Sequence, residues 1–220
     1  MSRTARARLV VDNTFATPAL SRPLSHGADL VVHSTTKFLC GHADAMGGVV
    51  CAAGPLLARL RQYAKIHGSV SSPLDAWLTL RGVRTLALRV RTASANALAL
   101  ARMLARQAKV RAVHYPGLPG AGSHVRTVLR GGFGAMLAFD LRGFAQAARL
   151  VRALRGDVPL APSLGDVATT ISHPASSSHA GLSPAERRAA GIGDGLVRVS
   201  TGIEETRDIL DDFQRALGRV

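Results

Sequence analysis

The sequence predicts an α/β fold for the first part of the chain and an α+β arrangement for the rest. Three observations carry this. Short apolar runs at residues 9–11, 28–33 and 48–52 are separated by turn or short-helix signals, the pattern of a parallel sheet buried on both faces. A long stretch rich in Ala, Leu and Arg, residues 86–107, runs helically without glycine or proline. Beyond it, strand-like runs at 110–115, 135–140 and 196–200 are interleaved with helical patterns.

The elements follow in order. The first strand ends at Asp12-Asn13, and Thr17-Pro18 is expected to break the chain. Residues 22–26 suit a short helix stopped by Gly27. The second strand leads into Ser34-Thr35-Thr36-Lys37, and residues 41–48 form a glycine-punctuated loop before the third strand. An amphipathic helix is expected over 55–63. Ser72-Pro73 opens another, with serine as cap and proline in the first turn. The 86–107 helix is suited to linking two domains, so residues 1–83 are assigned to one and 84–220 to the other. A loop at 116–120, a helix at 144–154 and a closing helix at 206–217 complete the chain, which has no repeats or low-complexity segment.

With 220 residues, 47% of them hydrophobic, the chain can build one large domain or two small ones. No apolar run reaches the roughly 18 residues of a membrane span, so no membrane partner is expected. Met1 to Arg8 is basic and poor in acids, as a targeting peptide is, but the apolar run 9–11 follows at once without a cleavage site, and none is expected. A formal charge of +14 raises nucleic acid as a partner. The arginines, among them Arg81, Arg84, Arg89, Arg91 and Arg102, are however scattered singly and no aromatics interleave with them. Compositional bias is the preferred account, and nucleic acid is not expected. Cys40 and Cys51 make neither a disulfide framework nor a metal site, and a reducing cytoplasm is the natural setting.

Chemistry concentrates at Lys37, one of only three lysines with Lys65 and Lys109. It follows an apolar strand and two hydroxyls, Ser34 and Thr36. An amine forms a Schiff base with an aldehyde whereas a guanidinium does not, and hydroxyls bind phosphate. Together these are what pyridoxal phosphate requires. Asp12 stands at the C-terminal end of a strand, the edge where open α/β sheets bind ligands. A carboxylate facing the pyridine nitrogen keeps it protonated and makes the ring an electron sink. Taken singly, Asp12 is better read as a turn or cap acid before Asn13, and Ser34 and Thr36 are as well read as ordinary loop hydroxyls. His33 and His42 flank Lys37 without metal-ligand spacing and read as structural, so no metal is expected. Arg198, between apolar residues of a late strand, is either on a solvated face or a carboxylate clamp, and pattern alone favours the solvated face.

These residues resemble the Cys/Met-metabolism enzymes, trans-sulfuration enzymes that depend on pyridoxal phosphate. The resemblance lies in Val11-Asp12-Asn13-Thr14-Phe15-Ala16-Thr17-Pro18, His33-Ser34-Thr35-Thr36-Lys37 and Gly41-His42-Ala43-Asp44. It continues through Ser72-Pro73-Leu74-Asp75-Ala76-Trp77, Leu80-Arg81-Gly82-Val83-Arg84-Thr85 and Val113-His114-Tyr115-Pro116-Gly117. It closes with Pro162-Ser163-Leu164-Gly165-Asp166, His173-Pro174-Ala175-Ser176 and Gly193 through Glu204, and so spans nearly the whole chain.

What the resemblance implies is specific. The fold is the C-terminal part of a pyridoxal-phosphate-dependent transferase fold (aspartate aminotransferase-like, fold type I): 1–83 the end of the large cofactor-binding domain, 84–220 the small α+β C-terminal domain. Lys37 holds the cofactor and shuttles protons, Asp12 pairs with the ring nitrogen, Ser34 and Thr36 bind the phosphate, and Thr14 joins the cofactor site. Arg198 holds the substrate carboxylate, helped by the backbone near Ser163. The chemistry is elimination or γ-replacement on sulfur amino acids or activated homoserine. Ser163-Leu164-Gly165-Asp166 with His173-Pro174-Ala175-Ser176 is more similar to the γ-lyases and homoserine sulfhydrylases than to the β-lyases. Pro162 stands where an acidic residue is typical of cystathionine γ-synthases and γ-lyases, which tilts the reading toward methionine γ-lyase-like or sulfhydrylase-like chemistry. Members of the family are close to twice this length and generally tetrameric. The resemblance therefore implies a homo-oligomer and a truncated chain. The part not represented would supply a ring-stacking tyrosine, a glycine-rich phosphate turn and residues lent to a neighbouring subunit, and apolar faces meant to pack on it would lie bare. The competing reading is a catalytically dead fragment that associates with a full-length paralogue or a separate N-terminal half.

Overall fold

The computed structural model describes residues 7–220. Most of the basic stretch weighed as a targeting peptide lies outside them. Strand β1 (Val10–Asp12) runs parallel to β2 (Leu30–Ser34), with Asp12 opposite Val32. The crossover passes through α1 (Thr17–Leu20) and a 3-10 turn, Pro23–His26, which Gly27 closes at φ 90°. Thr17-Pro18 thus starts a helix where a chain break was expected. Proline is tolerated in a first turn because the N–H it lacks would have no intrahelical partner there.

After β2 the chain makes a wide turn, Thr35–Leu39, and a loop, then returns as β3 (Gly48–Ala52). β3 pairs antiparallel to β2, with Ser34 opposite Gly48 and Leu30 opposite Ala52. This corrects the expectation of an all-parallel sheet. Residues 35–47 hold no crossover helix: Thr35 N donates to Gly47 O at 2.9 Å, so the chain re-enters at the edge it left. Burial on both faces is also corrected. In β2, Val31 and His33 are buried, whereas Val49 and Val50 of β3 are exposed.

Helix α2 (Gly54–His67) half-buries Leu56, Leu57 and Leu60 and leaves Tyr63 and Ile66 in solvent. Helix α3 (Pro73–Val83) begins as expected, with Ser72 Oγ accepting from Asp75 N at 3.1 Å. Helix α4 (Leu86–Leu104) ends three residues short of the predicted boundary.

The remainder is β4 (Ala112–His114), α5 (His124–Val128), β5 (Met136–Asp140), α6 (Phe144–Leu154), β6 (Thr170–Ser172), α7 (Pro184–Ala189), β7 (Leu196–Ser200) and α8 (Thr206–Gly218). The strands form one antiparallel sheet in the order β4-β5-β7-β6. Alternation puts Leu137 and Phe139 of β5 and Val197 and Val199 of β7 in one core with Leu100, Leu104, Leu150 and Phe213 from α4, α6 and α8. Phe139 and Phe213 meet edge to face at 6.4 Å. Arg198, between Val197 and Val199, therefore points to the opposite face. Helix α4 serves two cores. Its start, Leu86, Val90 and Ala93, packs with Leu20, Phe38, Leu39 and Leu164, while Ala97, Leu100, Ala101 and Leu104 enter the larger core.

Candidate active site

β1 and β2 end at the same sheet edge because they are parallel neighbours. Asn13 N donates to Val32 O at 2.9 Å, and Ser34 N donates to Thr14 Oγ1 at 2.9 Å. Thr14 thereby ties the two strand ends together. Its amide also donates to Asp12 Oδ1 at 2.9 Å. Hydrogen bonding from Thr14, first by its side chain and then by its amide, holds the exposed Asp12 carboxyl below its ordinary value. The Ser34 hydroxyl has no hydrogen-bond partner among the described residues. His33 points into the buried face; its Nδ1 has no partner among the described residues, and burial pushes its pKa down against the pull of Asp12. His42 Nδ1 lies 2.9 Å from Cys40 O, and the Cys40 thiol donates to Asp44 Oδ1 at 2.8 Å.

Lys37 sits inside the wide turn, closed by Cys40 N donating to Thr35 O at 3.0 Å. Its φ −96° and ψ −135° are not helical, so the side chain leaves the turn in a direction a regular helix would not give it. Lys37 Nζ donates to Ser163 Oγ at 3.0 Å, across 126 residues of sequence. Arg198 Nη2 donates to Pro162 O at 3.0 Å and to Ser163 O at 3.1 Å. Ser163 thus touches both Lys37 and Arg198. Arg198 is half-buried against the 162–163 backbone, and this burial pushes its pKa down. The solvated-face reading from pattern alone is corrected: the extended loop ahead of β6 covers that side of β7. Thr36 differs from Ser34. Its hydroxyl donates to Gly47 O at 3.4 Å and accepts from Gly47 N at 3.0 Å, so it is engaged with backbone.

Apart from Thr36, the predicted residues thus fall into two contact groups, Asp12–Thr14–Ser34 and Lys37–Ser163–Arg198, joined through the end of β2. Two features escaped the sequence reading. Gly165 has φ +81°, and a Cβ there would lie 2.6 Å from Phe38 N and 3.0 Å from the Lys37 carbonyl carbon. Only glycine lets that loop press against the Lys37 peptide. Ser200 Oγ accepts from Gly165 N at 2.9 Å and fixes the loop. Arg89, one of the singly scattered arginines, is 7% exposed and bonded to the same turn. Nothing in its spacing marked it.

The donor set fits pyridoxal phosphate. It offers a primary amine bonded to a neutral hydroxyl, a carboxylate kept ionised, and a hydroxyl left unpartnered at a strand edge. Arg198 adds a planar cation whose fork suits a carboxylate.

That chemistry defines a class, and comparison with known proteins agrees with it. The family model "Cys/Met metabolism PLP-dependent enzyme" matches residues 1–218, and the chain belongs to that family. Among named relatives, O-succinylhomoserine sulfhydrylase of Pseudomonas aeruginosa is 45% identical over 213 residues, covering 96% of this chain and 53% of that protein. L-methionine gamma-lyase of Pseudomonas putida is 44% identical, covering 99% and 55%. Cystathionine gamma-synthase of Escherichia coli is 43% identical, covering 97% and 56%. A crystal structure of cystathionine gamma synthase from Xanthomonas oryzae pv. oryzae, in complex with aminoacrylate and cysteine, superposes with a TM-score of 0.93 at 46% identity, covering 99% of this chain and 57% of that one. The chain spans about half the length of the relatives it matches.

Proposed function

We propose that the chain carries the lysine-bearing half of a carbon–sulfur lyase or transferase that acts on sulfur amino acids or activated homoserine by γ-elimination or γ-replacement. The observation that carries this is the contact chain from Lys37 through Ser163 to Arg198. It sets a primary amine and a carboxylate-binding cation on one residue. Pyridoxal phosphate, when bound, supplies the electron sink. Lys37 holds the cofactor and moves protons at the substrate's α and β carbons. Asp12 keeps a negative charge for the ring nitrogen, and Thr14 orients it. Ser34 binds phosphate with its free hydroxyl; Thr36 joins it by exchanging its bonds to Gly47. Arg198 and the backbone at Ser163 hold the substrate carboxylate. Residues 1–83 then belong to the cofactor domain and 84–220 to the C-terminal domain. With Pro162 in place of an acid, nothing at that position favours a distal ammonium, so methionine γ-lyase-like or sulfhydrylase-like chemistry is preferred. Among the described residues no helix is long and apolar enough to cross a membrane. A cytoplasmic homo-oligomer is part of the same proposal.

Borohydride reduction after saturation with pyridoxal phosphate tests the assignment. The wild-type chain retains the cofactor on the peptide that contains Lys37, and Lys37→Ala abolishes the attachment with its far-ultraviolet circular dichroism unchanged. An adduct in Lys37→Ala at wild-type yield refutes the role of Lys37. Release of hydrogen sulfide, methanethiol or α-keto acid from each candidate substrate then separates the chemistries.

A second reading is favoured by the bare apolar residues Val49, Val50, Trp77 and Leu80. In it the chain is inactive alone and works by associating with a full-length paralogue or a separately encoded N-terminal half. Cofactor attachment that arises only after mixing with a longer relative's N-terminal half supports it; a chain active alone overturns it.

A further inference from the structure

We infer that Arg89 is a positioning residue for Lys37, a role that rests on the cofactor reading above. The wide turn that carries Lys37 ends without continuing as a helix, so the carbonyls of its last residues have no helical N–H to accept from. Near the start of α4, Arg89 donates from Nη1 to Phe38 O at 2.8 Å and from Nη2 to Leu39 O at 3.4 Å. Nη2 also donates to Gly82 O at 2.7 Å, and Nε to Thr85 Oγ1 at 3.0 Å. One guanidinium therefore joins the two residues after Lys37 to the end of α3 and the start of α4.

Two glycines make room for this. A Cβ at Gly41 would lie 2.1 Å from Arg89 Nη1. One at Gly82 would lie 2.2 Å from Cys40 O. Gly165 presses on the Lys37–Phe38 peptide as well. The turn is thus held from α3, from α4 and from the 163–166 loop. Arg89 is buried, and no carboxylate forms an ion pair with it among the described residues. A charge so placed is costly unless its donors are used, and here carbonyls take them. Lysine's donors sit on a single nitrogen and lack the planar fork that reaches the Phe38, Leu39 and Gly82 carbonyls and the Thr85 hydroxyl together.

Arg89→Met and Arg89→Lys in the 220-residue chain test this with three readouts: the rate of borohydride-fixed attachment at Lys37, the visible circular dichroism of bound cofactor, and amide exchange without cofactor at Cys40 and Gly41. A misaimed amine predicts attachment slowed about tenfold or more in Arg89→Met. The chiral signal is reduced and Cys40 and Gly41 exchange faster, while β5 and α8 stay protected. Arg89→Lys falls between the two. A folded Arg89→Met with wild-type attachment, chiral signal and exchange overturns the inference. If Arg89→Met does not fold, Arg89→Lys decides: slowed attachment supports the role, and wild-type values in all three readouts overturn it. Failure of the wild-type chain itself to attach cofactor at Lys37 strikes the proposed function instead, and exchange at Cys40 and Gly41 still reports whether Arg89 orders the turn.

Discussion

The two sheets handle burial in opposite ways. Phe139, Val197 and Val199 of the four-stranded sheet, and Leu100, Leu150 and Phe213 of the helices packed on it, are all 0% exposed. The three-stranded sheet carries the Lys37 edge, yet Val10 is 57% exposed, Val50 is 41%, and nearby Trp77 and Leu80 of α3 are about 60%. Stability is therefore concentrated away from the amine. The region that carries Lys37 relies on backbone pairing, the small core around Phe38 and Leu164, and the ties to Arg89 and Gly165. Regions with few buried apolar contacts open locally at lower free energy than the core, so the turn and the larger core should respond unequally to substitution.

The sharpest way to break this contrast is Phe213→Ala. It should cost about 3–5 kcal/mol by urea unfolding; a loss near zero would mean that the larger core does not anchor the chain. Gly82→Ala should cost about 1–3 kcal/mol, because the new methyl meets a backbone carbonyl that has little room to move. Its signature is lost amide protection at Cys40 and Gly41 while β5 and β7 keep theirs. A smaller effect follows from His33. Burial places its folded-state pKa below the unfolded value of about 6.5, so the unfolded chain takes up the proton first. Its contribution is complete above that value and declines as pH falls through it. The drop in unfolding midpoint between neutral pH and about pH 5.5 should therefore shrink in His33→Gln; an unchanged drop removes His33 as its source. Smallest of all, Leu80→Ser should change stability by no more than about 0.5 kcal/mol while lowering concentration-dependent association in sedimentation. A large destabilisation would show that the face is covered in the isolated chain.

Much of this was legible in the residues. Lys37 after an apolar strand, Asp12 at the neighbouring strand end and the cap at Ser72 all follow from local pattern, and each lies where the pattern puts it. The direction of β3 was not legible, since an apolar run has the same composition whichever way it is threaded. Helix α7 had a signal that was passed over: Ser183 and Glu186 form a reciprocal capping box three residues apart. Contacts made across long stretches of sequence left no local trace. Lys37 to Ser163 and Arg89 to Phe38 are of this kind, and an arginine that tethers a turn looks in sequence like one that faces water.

Helix α4 has a mechanical consequence. It is 19 residues long, about 28 Å at 1.5 Å per residue, and has no glycine or proline at which to kink. One end grips the turn behind the amine and the other is embedded among Leu137, Phe139 and Phe213. The two bodies it spans are therefore braced as by a strut. A movement of one body against the other would have to pivot outside this helix.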